Sequence, residues 1–240
     1  MHELPPTVGI EFTRTTLRDY WLGRLSQHVL DSYAGLPLAK LPEDLRTYEH
    51  LIWLARPDVV IEIGTYGGGS ALWLRDRLRT LAAYGHISRP HVISVDLDVS
   101  WARALLEQAD PRYGAEITLV EADILDPALP SRVEDLMPAR ARCLVIEDSA
   151  HVYDTTWAAL AGFAAFIPEG GFFVVEDGCI DVEEMRPHDD EYWPRGVLPA
   201  VRDWLRTPEG EEFTVRRDLE LYGISCHPEG FLQRRPKAAG

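Results

Sequence analysis

From residue 57 onward the chain alternates short apolar runs with amphipathic stretches. The runs over 59–63, 92–95, 117–120, 143–146 and 172–175 are continuously apolar or β-branched, which predicts central strands covered on both faces. Apolar positions at helical spacing between them predict helices near 70–81, 100–108, 127–136 and 155–166. Strand and helix in strict alternation give βαβ units and a parallel sheet. Upstream, Leu17, Tyr20, Trp21, Leu25, His28 and Val29 recur every 3.6 residues. A second helical stretch follows Pro37 and Pro42, carries Leu45, Tyr48, Leu51, Ile52 and Leu54, and ends at Pro57. Downstream come an acidic, proline-bearing loop over 181–195 and a helix around Val197, Ala200, Val201, Trp204 and Leu205. Two short runs then follow over 213–215 and 222–226, close enough to predict an antiparallel pair closing the sheet. The expected class is α/β: a mostly parallel, doubly wound sheet with a C-terminal antiparallel strand pair and an N-terminal helical extension. One domain is expected over 1–240, with a helical segment at 1–56, a core at 57–232 and a tail at 233–240.

Composition narrows this picture. A chain of 240 residues, 46% hydrophobic and 26% charged, has enough apolar content for one large core. Its net charge of −15 argues against nucleic acid or an anionic membrane as a main partner. Cys143, Cys179 and Cys226 lack metal or redox spacing and fit a reducing compartment. The start Met1-His-Glu-Leu-Pro-Pro has neither the basic residues nor the apolar run of a secretory leader, and no stretch is apolar enough to span a bilayer. A cytoplasmic protein is expected.

Candidate chemistry begins at Val59-Val-Ile-Glu-Ile-Gly-Thr-Tyr-Gly-Gly-Gly-Ser70, a strand that delivers glycines to a turn opening a helix. Gly64, Gly67, Gly68 and Gly69 permit tight turning and close backbone approach, and the helix N-terminus offers free N–H groups to a small polar ligand. The spacing is not the GxGxxG of a dinucleotide site, which disfavours a nicotinamide cofactor. Glu62 lies inside this strand and Asp96 ends the next, where a carboxylate can accept hydrogen bonds from a ribose diol. Asp123, after the third strand, is placed either for adenine contact or as a cap before Pro127. A ligand-free βα turn is the plainer alternative for the glycines.

The second cluster is Cys143-Leu-Val-Ile-Glu-Asp-Ser-Ala-His151, a strand running into Asp148 and His151. Phe172-Phe-Val-Val-Glu-Asp177 repeats the pattern with Glu176 and Asp177. The carboxyl ends of adjacent parallel strands share one crevice, so these acids converge there, and a divalent cation would relieve their repulsion. Oxygen ligands favour Mg²⁺, Ca²⁺ or Mn²⁺, with Mg²⁺ the default. The alternative is that the acids are turn caps and His151 a surface residue of the next helix. Glu147 is expected to point away, and Cys179 to be a passive thiol.

Taken together, Lys40-Leu-Pro-Glu-Asp-Leu-Arg-Thr-Tyr48, Glu62-Ile-Gly-Thr-Tyr-Gly-Gly-Gly-Ser70 with Asp96, Asp148-Ser-Ala-His151, Glu176-Asp177 and Pro228-Glu-Gly-Phe-Leu-Gln-Arg resemble the cephalosporin hydroxylase and rhamnosyl O-methyltransferase family. These are class I S-adenosylmethionine-dependent methyltransferases with a Rossmann-like sheet. The likeness runs from about Lys40 to Arg234. It implies cofactor contacts from Tyr48, Glu62, Gly64, Tyr66, Gly68, Ser70, Asp96 and Asp123. It further implies Mg²⁺ on Asp148, Glu176 and Asp177, His151 as general base, and a hydroxyl of a deoxysugar on a natural product as acceptor. A homo-oligomer is a family-level expectation. Trp21 and Trp53 are candidates for subunit contact, Trp73 and Trp101 for core or interface. His188, Tyr192 and Trp193 could stack on an acceptor or simply hold their loop down, while the acids between 181 and 191 make a solvated face. Rival readings are a cephalosporin-type hydroxylation or methoxylation on the same scaffold and a non-catalytic adenosine-binding protein.

Overall fold

A computed structural model of the chain describes residues 10–186 and 195–236. Its N-terminal part comprises α1 (Leu17–His28), a small hairpin of β1 (Ser32–Tyr33) and β2 (Leu36–Pro37), and α2 (Pro42–Ala55). The alternating part follows: β3 (Val59–Ile63), α3 (Gly69–Ala83), β4 (His91–Asp96), α4 (Ser100–Ala109), β5 (Ile117–Glu121), α5 (Leu129–Glu134), β6 (Cys143–Glu147), α6 (Tyr153–Phe163) and β7 (Phe172–Val175). The chain then adds α7 (Val197–Trp204), β8 (Phe213–Val215) and β9 (Phe231–Arg234).

The large sheet has seven strands in the order β5-β4-β3-β6-β7-β9-β8. The first five pair in parallel, while β9 runs antiparallel to both β7 and β8. Strands β3, β4, β6 and β7 are mostly apolar and nearly wholly buried because helices cover both faces, whereas β5, at the sheet edge, is part-buried. Side chains alternate between the two layers: Val59, Ile61 and Ile63 pack with Leu160, Phe163 and Val201, and Val60 packs with Leu51, Leu74 and Leu78. Order reverses at β3 and β6, so their carboxyl ends form the crevice where such sheets bind ligands.

Two expectations need correction. Residues 222–226 do not form the second antiparallel strand; β9 does. The segment before Pro228 turns inward instead, where the Ser225 hydroxyl and the Cys226 N–H donate to Asp44 at 2.6 and 3.0 Å. Gly230 then lets the chain pass β7, since a Cβ there would lie 2.0 Å from the Val175 carbonyl oxygen. Trp21 is not available to another subunit, because it is buried and its indole N–H donates to the Met185 carbonyl at 2.7 Å. Trp73 is in the core, and Trp53 and Trp101 are exposed. His188, Tyr192 and Trp193, with the acids Asp189, Asp190 and Glu191, lie outside the described residues.

Candidate active site

The carboxyl ends of β3, β4, β5, β6 and β7 open into one cavity of about 580 Å³. Backbone bonds continue the ladder past the strands and fix its floor: Gly64 N–H to Val95 O at 2.8 Å, Asp148 N–H to Ile63 O at 2.8 Å and Glu176 N–H to Glu147 O at 2.9 Å. Gly64, with φ +104°, sits so close to the next strand end that a Cβ would lie 1.9 Å from the Asp148 carbonyl oxygen. The glycine loop and the acidic strand end are therefore packed against each other.

On one side of the cavity lie Gly64, Tyr66, Ser70, Asp96 and Asp123. Asp96 is held by backbone: its Oδ2 accepts the N–H groups of Thr65 and Tyr66 at 2.8 and 3.0 Å, and Oδ1 accepts that of Leu97 at 2.7 Å. That leaves one of the roughly four lone-pair positions of a carboxylate for a ligand hydroxyl. Tyr66 is half exposed and meets Trp101 edge-on at 5.0 Å. Asp123 lines the cavity and also accepts the Leu125 N–H at 2.9 Å, so it stabilises the turn from a position on the cavity wall. Gly68 caps α3 in a left-handed conformation behind the cavity wall. Glu62 is buried just behind: Oε2 accepts the Ser94 hydroxyl at 2.5 Å, while Oε1 has no hydrogen-bond partner among the described residues. Burial pushes its carboxyl up to about 7, against the pull of the Ser70 and Ser94 hydroxyls and the Lys40 ammonium.

On the other side lie Asp148, His151 and Asp177. His151 precedes α6 rather than riding on it, with φ +58°. This turns its ring so that Nε2 stands 3.1 Å from Asp148 Oδ1 and 3.4 Å from Asp177 Oδ2. Burial disfavours the imidazolium, but the charges of Asp177, Asp148, Glu147 and Glu176 outweigh it and raise the histidine above its ordinary value. Burial and the Glu176 charge in turn raise Asp148, against Lys40 and His151. Asp177 is also left-handed, φ +56°, and its N–H donates to His227 Nδ1 at 3.1 Å. Ligand atoms of Asp148, His151 and Asp177 lie within 4.8 Å of one another, as do those of Glu176, Asp177 and His227.

Glu176 and Tyr48 do not line the cavity; they form a buried layer beneath it. Tyr48 donates to Glu176 Oε1 at 2.5 Å. Glu147 is fully buried and accepts from Ser149 and Thr156, which turns it away from the cavity. Cys179 and Cys226 are on the wall, and hydrogen bonding to Cys179 together with burial holds the Cys226 thiol well above an ordinary thiol.

This chain matches the rhamnosyl O-methyltransferase/CmcI family over residues 27–235. It belongs to that family. Rhamnosyl O-methyltransferases of Mycobacterium tuberculosis and Mycobacterium leprae are 27% and 25% identical to it over 207 residues, 85% of this chain and 78% and 83% of theirs. A CmcI structure with magnesium and S-adenosylmethionine superposes with a TM-score of 0.58 at 20% identity, covering 97% of this chain and 90% of that one. The Rossmann-like methyltransferase fold is thereby established, and the enzyme is an S-adenosylmethionine-dependent O-methyltransferase.

Three residues of this methyltransferase escape the sequence reading: Lys40, Asp44 and His227. Lys40 bonds Asp148 Oδ2 at 2.9 Å and both Glu176 oxygens at 2.7 Å. Asp44 pins the 225–227 turn, which presents His227 to Asp177. The available signal was three charged residues, Lys40, Glu43 and Asp44, between the apolar positions Leu38 and Leu45, but the partners of Lys40 and Asp44 lie more than a hundred residues away.

Proposed function

We propose that the enzyme transfers the methyl group of S-adenosylmethionine to a hydroxyl of a rhamnosyl or related deoxysugar on a natural product, with Mg²⁺ at the carboxylates. The observation that carries this reading is the single cavity on which Gly64, Ser70 and Asp96 face Asp148, His151 and Asp177. The sugar acceptor is supported by the mycobacterial relatives, whose names specify a rhamnosyl group.

The residues present fit both groups. On the cofactor side, Asp96 keeps one free acceptor position and the orphaned Glu62 Oε1 offers a second carboxylate oxygen behind Ser70. On the other side, Asp177 links two clusters, one with Asp148 and His151 at the cavity and one with Glu176 and His227 beneath it, and the carboxylate oxygens of these clusters are hard donors suited to Mg²⁺. A bound Mg²⁺ supplies positive charge that orients a hydroxyl and stabilises the charge developing on its oxygen.

Methyl transfer is an in-line displacement: the acceptor oxygen forms a bond to the methyl carbon, the carbon–sulfur bond breaks, and sulfur keeps the electron pair. The hydroxyl proton must leave, and His151 is the base at hand. In the arrangement described, Nε2 faces two carboxylate oxygens that only accept, so it carries a proton there. Acting as base requires the neutral ring with those contacts given up. The closed-in wall formed by Leu38, Ile63, Cys179 and Cys226 limits water around the reacting atoms.

Thermal shifts with S-adenosylhomocysteine and with NAD, each with and without Mg²⁺, test the reading. Stabilisation by the homocysteine compound is expected, with a further Mg²⁺ increment that Asp148→Asn removes. Stabilisation by NAD alone, or by neither, would overturn it.

A further inference from the structure

We propose that Lys40 is a positioning residue for the metal carboxylates, a resident counter-ion that holds Glu176 and Asp148 in place and loosens the site's grip on its divalent ion. This rests on the reading that Asp148, Asp177 and Glu176 take that ion.

Every hydrogen bond of the Lys40 ammonium goes to this cluster, to Asp148 Oδ2 and to both oxygens of Glu176, and the residue is only 5% exposed. With the Tyr48 hydroxyl added, Glu176 accepts three bonds from beneath and does not line the cavity, which leaves one of its roughly four lone-pair positions, on Oε2, for the ion. Asp148 is divided: one oxygen belongs to Lys40 and the other, Oδ1, faces His151 and the cavity. Asp44, the nearby acid on α2, is occupied by Ser225 and Cys226 and does not compete for the ammonium. Charges then balance in whole numbers: three carboxylates, one ammonium and one divalent cation sum to zero.

Two consequences separate this role from a simple tie between α2 and β7. Without Lys40 the cluster carries an extra uncompensated negative charge in a poorly solvated place, which destabilises the metal-free chain. The same uncompensated charge attracts a cation more strongly. Removing Lys40 should therefore weaken the fold and tighten metal binding at once, whereas loss of a mere structural tie would weaken the fold alone.

The experiment uses full-length chain stripped with a chelator, with Mn²⁺ as the probe, read by the resonance signal of free Mn²⁺ and by thermal shift. Lys40→Met is expected to lower Tm in metal-free buffer, to lower the Kd for Mn²⁺ by roughly tenfold or more, and to widen the Tm gap between metal-free and Mn²⁺-saturated protein. An unchanged or weaker Kd, with Tm lowered equally in both buffers, overturns the proposal. Should Lys40→Met fail to fold, Glu176→Gln is compared with the Lys40→Met/Glu176→Gln double variant, which buries one charge fewer. The double variant must still bind Mn²⁺ more tightly than Glu176→Gln, because Lys40 in the latter continues to hold Asp148; equal affinities overturn the proposal. Wild-type protein that binds S-adenosylhomocysteine but no Mn²⁺ overturns the metal reading and this inference with it. Wild type that binds Mn²⁺ with an affinity Lys40→Met does not change removes only the inference.

Discussion

Replacing Glu62 with glutamine isolates a buried conflict behind the Gly64 and Asp96 side of the cavity. Folded Glu62 titrates at about 7 instead of 4.5 because burial disfavours its charge more than the Ser70 and Ser94 hydroxyls and Lys40 favour it. Between those two values the folded chain holds a proton that the unfolded chain has released. Stability from this group is thus greatest below pH 4.5, falls as pH rises, and reaches its lowest level above pH 7. A displacement of that size corresponds to roughly 3 kcal/mol across the window. Glutamine keeps the shape and an acceptor for the Ser94 hydroxyl but does not titrate, so any packing cost it carries is the same at every pH. Urea unfolding of both proteins at intervals from pH 5 to pH 8 should show wild type losing ground steadily to Glu62→Gln, by about 2 to 3 kcal/mol in all. In thermal unfolding this is a relative shift of about 5 to 10 °C for a chain of this length. Parallel stability curves for the two proteins would refute the argument, because they would mean that Glu62 is already ionised at pH 5.

Two further substitutions probe the opposite wall and the seam between the walls. His151→Asn tolerates the left-handed backbone at this position and should lower turnover by roughly a hundredfold or more while thermal stabilisation by S-adenosylhomocysteine persists; wild-type turnover would remove the base assignment. Gly64→Ala places a methyl group 1.9 Å from the Asp148 carbonyl at a φ of +104°, and should cost at least about 2 kcal/mol by urea unfolding, with both the homocysteine-compound and Mn²⁺ responses impaired together. Loss of only one response would show that the two halves are not mechanically joined there.

How much of this was legible in the sequence depended on whether the information was local. Strands β3 to β7 were readable because their runs are apolar at nearly every position, the buried Glu62 and Ser94 being exceptions that bond each other, and their ends needed only small extensions, as at Asp96 and Glu147. Helix α2 was readable from Pro42 at its start and its apolar spacing. The closing strand was misplaced because Tyr222 to Cys226 has strand-like residues whose polar groups are claimed by Asp44, a partner 181 and 182 positions away. The β1–β2 hairpin was missed because two residues per strand leave no period to detect.

The acids of the site were visible because each ends a strand, and strand ends on one side of a parallel sheet meet in space. The expectation that Glu147 turns away from the cavity holds, but nothing local in the sequence showed that Glu176 meets a cation of the chain's own. Glu176 and Asp177 are adjacent, yet Glu176 turns down to Lys40 and Tyr48 and Asp177 turns up to His151. Neighbours at a strand end face opposite layers, as Glu147 and Asp148 also do, and here the left-handed Asp177 has its N–H fixed by His227. Asp177 is held facing the cavity by a turn that Asp44 anchors from α2. The helix that supplies Tyr48 to the lower carboxylate thus also sets the direction of the upper one, and Lys40 lies one residue before the helix cap at Leu41. The N-terminal segment is therefore part of the electrostatics of this cavity: it contributes the buried cation and the anchor, while the sheet contributes the acids they arrange.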